Sequence, residues 1–387
     1  MTRGIRIAAL ACLWLVPTLL LSTSLLSDWT FVWERVHVPS YTPPFLDLRS
    51  ITSGLKTVQH GGDPLIANPR DPLRRTMNYP RIWLHLFAWM GINDSNLWMV
   101  GIAFCGLYLV GVSWLILQTQ RALDAVILLV AGLSLSALFA IERGNSDLLI
   151  FSLVLLGCVS KNKYFKLAAF FTAAVLKIFP IATLLADILR RPLRKSAAGI
   201  AFLAAAFALF AWEWRDLRAI KASTPVSTTL SFGLPVLLAQ AHYLSPIQVA
   251  LGLFAMVIIL TAAWLARPAI EQSALESTSG GMFVIFGCVY LFSFVIASNW
   301  DYRLIFLLPT LPFVLDSARD RRSKTWAIVY VGALLLAANS FFAGVYQGIP
   351  AIDLASVILL MLLLTVLFPA LWKSAWKRES FPSEPAI

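Results

Sequence analysis

Long apolar runs alternate with short polar segments along almost the whole chain. The first run, residues 5–26, follows Arg3 and Arg6 and is long enough to cross a bilayer as a helix. Ten further runs of spanning or near-spanning length follow at 96–117, 123–141, 148–160, 165–189, 196–212, 247–266, 282–298, 304–315, 326–343 and 354–372. This pattern predicts an all-α fold, a polytopic transmembrane helical bundle.

The run at 165–189 is unusual because it carries Lys177 and Pro180 near its middle and has basic clusters on both sides. Basic clusters remain in the cytoplasm, so we expect the run to form a short helical hairpin that turns near Lys177. Proline also frees a backbone carbonyl, which a membrane protein tolerates only beside protein or a water-filled cavity. Counting the hairpin as two helices gives about twelve membrane segments.

Composition and charge support the membrane class. Hydrophobic residues make up 59% of the 387 residues and charged residues only 13%, with a mean hydropathy of +0.77, which leaves too few polar residues to cover a soluble globule. The net charge of +11 comes mostly from Lys and Arg clusters between apolar runs, as in cytoplasmic loops, and no nucleic-acid partner is expected. The same rule predicts a multi-pass protein of the cell inner (plasma) membrane with cytoplasmic N- and C-termini.

We expect residues 1–387 to form a single integral membrane domain. Two longer polar loops, 27–81 and 213–246, fall on the predicted extracytoplasmic face. Amphipathic helices are expected at the membrane interface at 47–60, 81–90 and 230–241. The first loop carries Asp47 and seven Arg or Lys residues on a face where basic residues are normally depleted, which suggests a site for a phosphorylated substrate.

Several catalytic motifs are missing from the sequence. It lacks a Gly-x-x-x-x-Gly-Lys-Ser/Thr loop, a His-Glu-x-x-His motif, an Asp-x-Asp pair and a serine flanked by glycines, which disfavours nucleotide hydrolysis and zinc catalysis. The four cysteines lie singly in apolar runs. We therefore expect no metal site, no cofactor and no requirement for a divalent metal.

Four groups of short motifs carry the polar residues of the predicted outer face. They are Pro43-Pro44-Phe45-Leu46-Asp47-Leu48-Arg49; Gly61-Gly62-Asp63-Pro64-Leu65 with Met77-Asn78-Tyr79-Pro80; Glu142-Arg143-Gly144-Asn145-Ser146-Asp147 with Leu176-Lys177-Ile178-Phe179-Pro180; and Ser298-Asn299-Trp300-Asp301-Tyr302-Arg303.

In this order, the motifs resemble those of integral membrane glycosyltransferases of the GT-C superfamily, most closely glycosyltransferase family 87. That family includes polyprenol-phosphate-mannose-dependent mannosyltransferases. The resemblance covers most of the chain and implies a GT-C-like fold. The chain departs from the family pattern at Leu65, where an aromatic residue is usual, and at Arg81, where a second proline is usual.

The resemblance implies inverting transfer of a mannose-like hexose or a pentose from a polyprenyl-phosphate donor to a glycan or glycolipid acceptor, on the extracytoplasmic side and among membrane lipids. Asp47 is the expected general base, because an acceptor hydroxyl is a poor nucleophile until its proton is removed. The departing phosphate needs its charge neutralised. The residues expected to bind it are Arg303, Lys177, Arg143 and Arg49. Substrate contacts are expected from Asn145, Asp301, Tyr302, His242 and Tyr79.

Each assignment has a structural alternative. Asp47 is also suited to cap the following helix, Arg303 to pair with Asp301, and Lys177 to extend along its helix to the membrane surface. The remaining alternatives are a network of Arg143 with Glu142 and Asp147, a surface position for His242, a turn at Asp63, and interface anchoring by Trp29, Trp33, Trp300 and Trp326.

A different function also fits the pattern. A transporter or flippase of lipid-linked sugars or glycans is built from helices with polar groups at mid-depth and a broken helix, as predicted near Pro180.

Overall fold

The computed structural model describes residues 2–191, 193–224, 227, 230–242, 245–267, 275–296, 298–340 and 351–376. Helices make up most of this part of the chain, and the strands within it are two residues long, so the predicted all-α class is confirmed.

In the described ranges, twelve helices precede the first strand. Helices α1 to α6 span Thr2–Leu26, Trp29–Arg35, Leu46–Gln59, Ile82–Trp89, Leu97–Gln118 and Ala122–Gly132. Helices α7 to α12 span Leu135–Arg143, Asp147–Val159, Lys163–Leu176, Ile181–Leu189, Leu193–Trp212 and Trp214–Ser223.

The second half adds a short antiparallel strand pair to the helices. Strand β1 (Ser231–Phe232) is followed by α13 (Leu234–Ala241), α14 (Pro246–Leu265) and α15 (Thr278–Ile296). Strand β2 (Asn299–Trp300), a 3₁₀-helix (Asp301–Thr310), α16 (Leu311–Ser317), α17 (Arg321–Ala338) and α18 (Ala351–Trp376) follow. Ser231 pairs with Trp300 and Phe232 with Asn299, which connects the second long polar loop, residues 213–246, to the start of the 3₁₀-helix.

Five helices in the described ranges are long and apolar enough to cross a membrane, or up to seven if each of two bent pairs is one span. These helices indicate a membrane-embedded protein. Helix α14 is the clearest case, because only 6% of its most apolar window is buried, and a face this apolar suits lipid rather than water. The predicted count of about twelve segments is not confirmed, since several apolar runs form short or bent helices.

The predicted break at Lys177 is present. Helix α9 ends at Leu176 and α10 begins at Ile181, and both helices pack against α11. Proline has no N–H to bond the carbonyl of Leu176 four residues earlier, and that carbonyl accepts instead from the Trp83 indole N–H at 2.9 Å. The opening of the helix therefore leaves this carbonyl satisfied.

A second break, between α6 and α7, was not predicted. The run expected at 123–141 bends by 45° after Gly132, and the Ser134 hydroxyl caps α7 by accepting from the Ala137 N–H. This bend lets α7 pack beside the 3₁₀-helix.

Buried aromatic rings hold these elements together. Phe151 of α8 is fully buried, with ring centroids of Tyr108, Phe286 and Phe306 at 5.2, 5.9 and 6.4 Å. Helices α5, α8 and α15 and the 3₁₀-helix thus share one core. Asp147 is the first residue of α8, one turn before Phe151.

The interface-anchor interpretation is wrong for three tryptophans. Trp29, Trp33 and Trp326 are 3%, 0% and 1% exposed. Trp29 donates its indole N–H to Glu142, and Trp326 stacks on Tyr330, so these rings pack inside the protein rather than against lipid headgroups.

Candidate active site

Phe45 fixes the first long polar loop, residues 27–81, to the helical bundle. Its ring is 1% exposed and lies between Gly101 of α5 and Gly144. A Cβ at either glycine would lie 2.9 or 2.8 Å from a ring carbon, so only hydrogen fits at both positions. Gly144 also has a φ of +57°, a left-handed conformation that glycine adopts without strain. The glycine of the Arg-Gly-Asn motif therefore makes room for the loop.

Asp47 follows in the first turn of α3 and does not cap that helix. Phe45 occupies the N-cap position, and no side chain caps the helix end. The Asp47 carboxylate instead accepts from Arg75 Nη1 at 3.2 Å and from Asn145 Nδ2 at 2.6 Å. Its side chain is 14% exposed. Two donors from different parts of the chain thus orient this carboxylate.

Asp47 lines a cavity of about 370 Å³. Aromatic rings and polar groups form most of the remaining lining: Tyr41, Ser50, Leu73, Arg75, Thr76, Asn78, Tyr79, Phe139, Arg143, Ser223, Trp300 and Tyr302. The rings of Trp300 and Tyr302 are nearly parallel, at an angle of 7° with centroids 6.3 Å apart. The cavity therefore combines one carboxylate with two guanidinium groups and an aromatic wall.

Arg75 was not predicted as a site residue. Its guanidinium contacts Asp71 at 3.1 Å as well as Asp47, and it donates to the Leu46 carbonyl at 2.8 Å. Although burial opposes its ionisation, the Asp47 and Asp71 carboxylates raise the pKa of Arg75 above its ordinary value. The sequence shows only a basic pair in a long loop, which gives no sign of these partners.

Arg143 is the predicted phosphate-binding cation that faces the cavity. Its Nε forms an ion pair with Glu142 at 3.1 Å, and its guanidinium lies over the rings of Tyr41 and Phe139 at 5.0 and 4.9 Å. Within the described ranges, neither terminal nitrogen donates a hydrogen bond to protein. These nitrogens are therefore available to a ligand.

Glu142, the ion-pair partner of Arg143, is itself held by hydrogen bonds. It is fully buried and accepts from the Trp29 indole at 2.8 Å and the Ser40 hydroxyl at 2.7 Å. Half of the expected structural network, the pair of Arg143 with Glu142, is present. The other half is wrong, because Asp147 has different partners.

Asp147 is the centre of a buried ion cluster. Lys177 Nζ lies 2.7 Å from one of its carboxylate oxygens, and Arg303 Nε lies 3.5 Å from the other. Lys177 and Arg303 are each 12% exposed, and Asp147 is fully buried. Lys177 therefore does not extend to the surface, and Arg303 pairs with Asp147 instead of Asp301, since a buried charge needs a close counter-charge.

Asn145 lies between this ion cluster and Asp47. It is fully buried, donates its amide to Asp47, and places its side-chain oxygen 3.5 Å from Lys177 Nζ. Lys177 also donates to the Ser146 hydroxyl at 3.2 Å. Neither Lys177 nor Arg303 lines the cavity, so other side chains separate both predicted cations from it.

Tyr79 and Tyr302 both line the cavity, as expected of substrate-binding residues. Burial and then the nearby Asp47 carboxylate raise the pKa of Tyr79 well above its ordinary value, so its hydroxyl remains a hydrogen-bond donor.

Three other predicted residues lie elsewhere. Arg49 donates to the Pro44 carbonyl at 2.8 Å, His242 is exposed at the end of α13, and Asp301 is fully buried. None of the three lines the cavity. In the described part of the chain, the Asp301 carboxylate accepts no hydrogen bond.

Asp63 forms the predicted turn and also a longer contact. Its carboxylate accepts from the Leu65 N–H at 3.0 Å and from Arg81 Nη2 at 2.8 Å. Arg81 also binds Asp216 at 2.6 Å, which joins the first long polar loop to α12.

Across the described ranges, no three His, Cys, Asp or Glu side chains are grouped so that they could hold a metal ion. Compared with known proteins, the chain matches no family model, no curated protein and no solved structure.

Proposed function

We propose that this protein is an integral membrane glycosyltransferase that moves a sugar from a polyprenyl phosphate to an acceptor hydroxyl. The observation that carries the proposal is the Asp47 carboxylate, which two donors orient in a cavity that also holds the Arg143 guanidinium. The resemblance of the motif order to family 87 of the GT-C superfamily supports the same activity.

The proposed reaction inverts the anomeric centre. The acceptor oxygen forms a bond to the anomeric carbon while the bond from that carbon to the phosphate oxygen breaks. The hydroxyl proton moves to Asp47, and the bonding electron pair leaves with the polyprenyl phosphate. Asp47 acts as general base because its carboxylate lines the cavity and its orientation is fixed by Arg75 and Asn145.

Arg143 is the proposed phosphate ligand. It lines the cavity, and its terminal nitrogens have no partner in the described part of the protein. A planar guanidinium with two free donors suits a phosphate group. Lys177 and Arg303 are assigned a supporting role, since both are already paired with Asp147 behind Asn145.

The sugar is proposed to lie against the aromatic wall formed by Trp300, Tyr302 and Tyr41. These rings are rigid and present flat apolar faces, while Tyr79 and Asn78 supply polar groups on the cavity lining. A mannose-like hexose or a pentose is the proposed class.

The proposed setting is the extracytoplasmic face of the inner (plasma) membrane, with both termini in the cytoplasm. The donor prenyl chain would lie among helices or lipid, and a glycan or glycolipid would serve as acceptor. The final basic tail extends beyond the described residues.

The test is an Asp47→Asn variant in purified form. Incubation in detergent with a radiolabelled polyprenyl-phosphate sugar and a glycolipid acceptor should give product with the wild type, and at least about 10²-fold less with the variant. Asp28→Asn is the matched control. Asp28 is exposed and caps α2, and asparagine caps equally well, so this variant should keep full transfer. Transfer by Asp47→Asn at the control rate would exclude Asp47 as base.

A flippase or transporter is the second candidate, favoured by the helix break that brings Lys177 into the protein interior. The same incubation separates the two functions, because a flippase makes no glycosidic bond in detergent. Absence of product together with movement of labelled lipid between leaflets of reconstituted vesicles would favour the second candidate.

A further inference from the structure

A second cavity lies at the end of the helices opposite Asp47. Its volume is about 230 Å³, and its lining includes Val159 at the end of α8 and Lys166 in the first turn of α9. Helix α8 begins at Asp147 near the first cavity, and its 13 residues span about 20 Å. Helix α9 returns toward Lys177, so the two cavities lie at opposite ends of these helices.

Three cations line this second cavity: Lys161, Lys166 and Arg190. Lys166 lies 3.7 Å from Asp187, a carboxylate that Arg191 also contacts at 3.1 Å. Lys161 is exposed and has no carboxylate or hydrogen-bond partner in the described ranges. One carboxylate, the exposed Glu276, also lines the cavity. The cavity therefore has an excess of positive charge.

Arg190 is held in place by the start of α15. Its Nη2 donates to the Leu275 carbonyl at 2.5 Å, and its guanidinium lies against Gly281. A Cβ at Gly281 would be 3.0 Å from Nη1 and 3.2 Å from Nη2, so the lack of a side chain at this position leaves room for the guanidinium. No carboxylate pairs with Arg190 in the described part of the chain. Its charge is thus left for another anion.

The remaining polar lining consists of hydroxyl groups. Ser160, Ser277 and Thr278 contribute them, and hydroxyls donate readily to phosphate oxygens. Lys161 and Arg190, which form no direct ion pair within the described residues, suit a tetrahedral oxyanion better than a neutral ligand when hydroxyl donors lie beside them.

We propose that this second cavity binds a phosphate group, as a phosphomonoester or phosphodiester. By the positive-inside rule, the basic residues at this end face the cytoplasm. The phosphate would belong either to an anionic lipid of the inner leaflet or to a free phosphate compound. The proposal does not depend on whether the first cavity transfers sugar.

Native mass spectrometry of the purified full chain provides the test. Phosphatidic acid is the probe, and diacylglycerol with the same acyl chains, which lacks the phosphate group, is the control. The wild type should bind phosphatidic acid at least about tenfold more tightly than the control lipid, because the phosphate group can accept charge-assisted hydrogen bonds from Lys161 and Arg190. Equal affinity for both lipids, together with no binding of inorganic phosphate to the cavity, would overturn the proposal.

Paired variants distinguish a built site from general charge attraction. Lys161→Gln should weaken phosphatidic acid binding about tenfold. Lys163→Gln removes the same charge two residues away, outside the lining, and should change affinity less than twofold. Equal losses in the two variants would overturn the proposal. Gly281→Ala is a second probe, because its added Cβ displaces Arg190 while every charge is kept, and it should also weaken binding.

Competition identifies the source of the phosphate. Displacement of phosphatidic acid by inorganic phosphate, lost in Lys161→Gln, supports a site for free phosphate compounds. Retention of the lipid at high inorganic phosphate supports a lipid headgroup site. Failure of both probes to bind the wild type would overturn the proposal in either form.

Discussion

Asn145 donates its side-chain amide to Asp47 at 2.6 Å, while its side-chain oxygen lies 3.5 Å from Lys177. One buried amide therefore contacts both the carboxylate of the cavity and the ion cluster behind it. The same oxygen accepts from the Asp147 backbone N–H at 2.8 Å. These three partners fix the orientation of the amide, because only its nitrogen can donate and only its oxygen can accept.

Asn145→Asp should reduce sugar transfer about 10²-fold, because a carboxylate would replace the donor that faces Asp47 and misplace the base. Initial rates with labelled donor measure this effect. Asn93→Asp is the control. Asn93 is exposed, and its side-chain oxygen remains able to accept from Ser95. A variant at Asn145 that transfers as fast as this control would show that Asp47 needs no such donor.

Gly101→Ala should destabilise the protein by about 1–3 kcal/mol, since its new Cβ would lie 2.9 Å from the Phe45 ring. Gly106→Ala in the same helix meets nothing within 4 Å and should be neutral or stabilising. Thermal unfolding in detergent compares the two variants. Equal midpoints would mean that Phe45 does not hold the loop at this position.

Trp29→Phe should cost about 1.5–3 kcal/mol more than Trp33→Phe, because only Trp29 donates to the buried Glu142 carboxylate. Both rings lie in α2 and are at most 3% exposed, so the loss of volume is similar. The Trp33 indole N–H has no partner in the described part of the chain. Denaturant titration of both variants gives the difference, and a reversed order would contradict it.

The contact between Asp63 and Arg81 should weaken in acid. Although partial burial opposes ionisation, the hydrogen bond from Arg81 lowers the pKa of Asp63 below its ordinary value of 3.8. A lowered folded-state pKa means that this stabilisation is complete above pH 3.8 and is lost as the pH falls through the folded value.

The measurement is the thermal midpoint between pH 6 and pH 3 for the wild type and for Asp63→Asn. The variant has no carboxyl group to titrate at this position, so its midpoint should fall less steeply with acid. Parallel curves would show that Asp63 does not contribute to the acid dependence.

The sequence predicted much of the local structure. The amphipathic stretch expected at 47–60 forms α3, and the break expected from Pro180 separates α9 from α10. Both signals are local, because periodicity and proline act on the backbone within one or two turns. The sequence has no comparable signal for the bend after Gly132, since no proline or charged residue lies beside it.

The partners of the charged residues could not be predicted from the sequence. Arg75 and Asp47 are 28 residues apart, and Asp147 is paired with Lys177 and Arg303 from two later segments. Such pairs depend on tertiary packing. Of the residues that the motifs indicated, Asp47, Arg143, Tyr79 and Tyr302 line the cavity and Asn145 contacts it through Asp47. The others do not line it: Arg49, Lys177, His242, Asp301 and Arg303.

The Phe45 ring packs between two glycines from separate parts of the bundle, so the first long polar loop depends on the helices beneath it for its position. A chimera that places only residues 27–81 of this protein in another chain would keep Asp47 and Phe45. It would lose the two glycines between which the Phe45 ring packs. Successful transplantation of this loop requires compatible residues at 101 and 144 in the recipient.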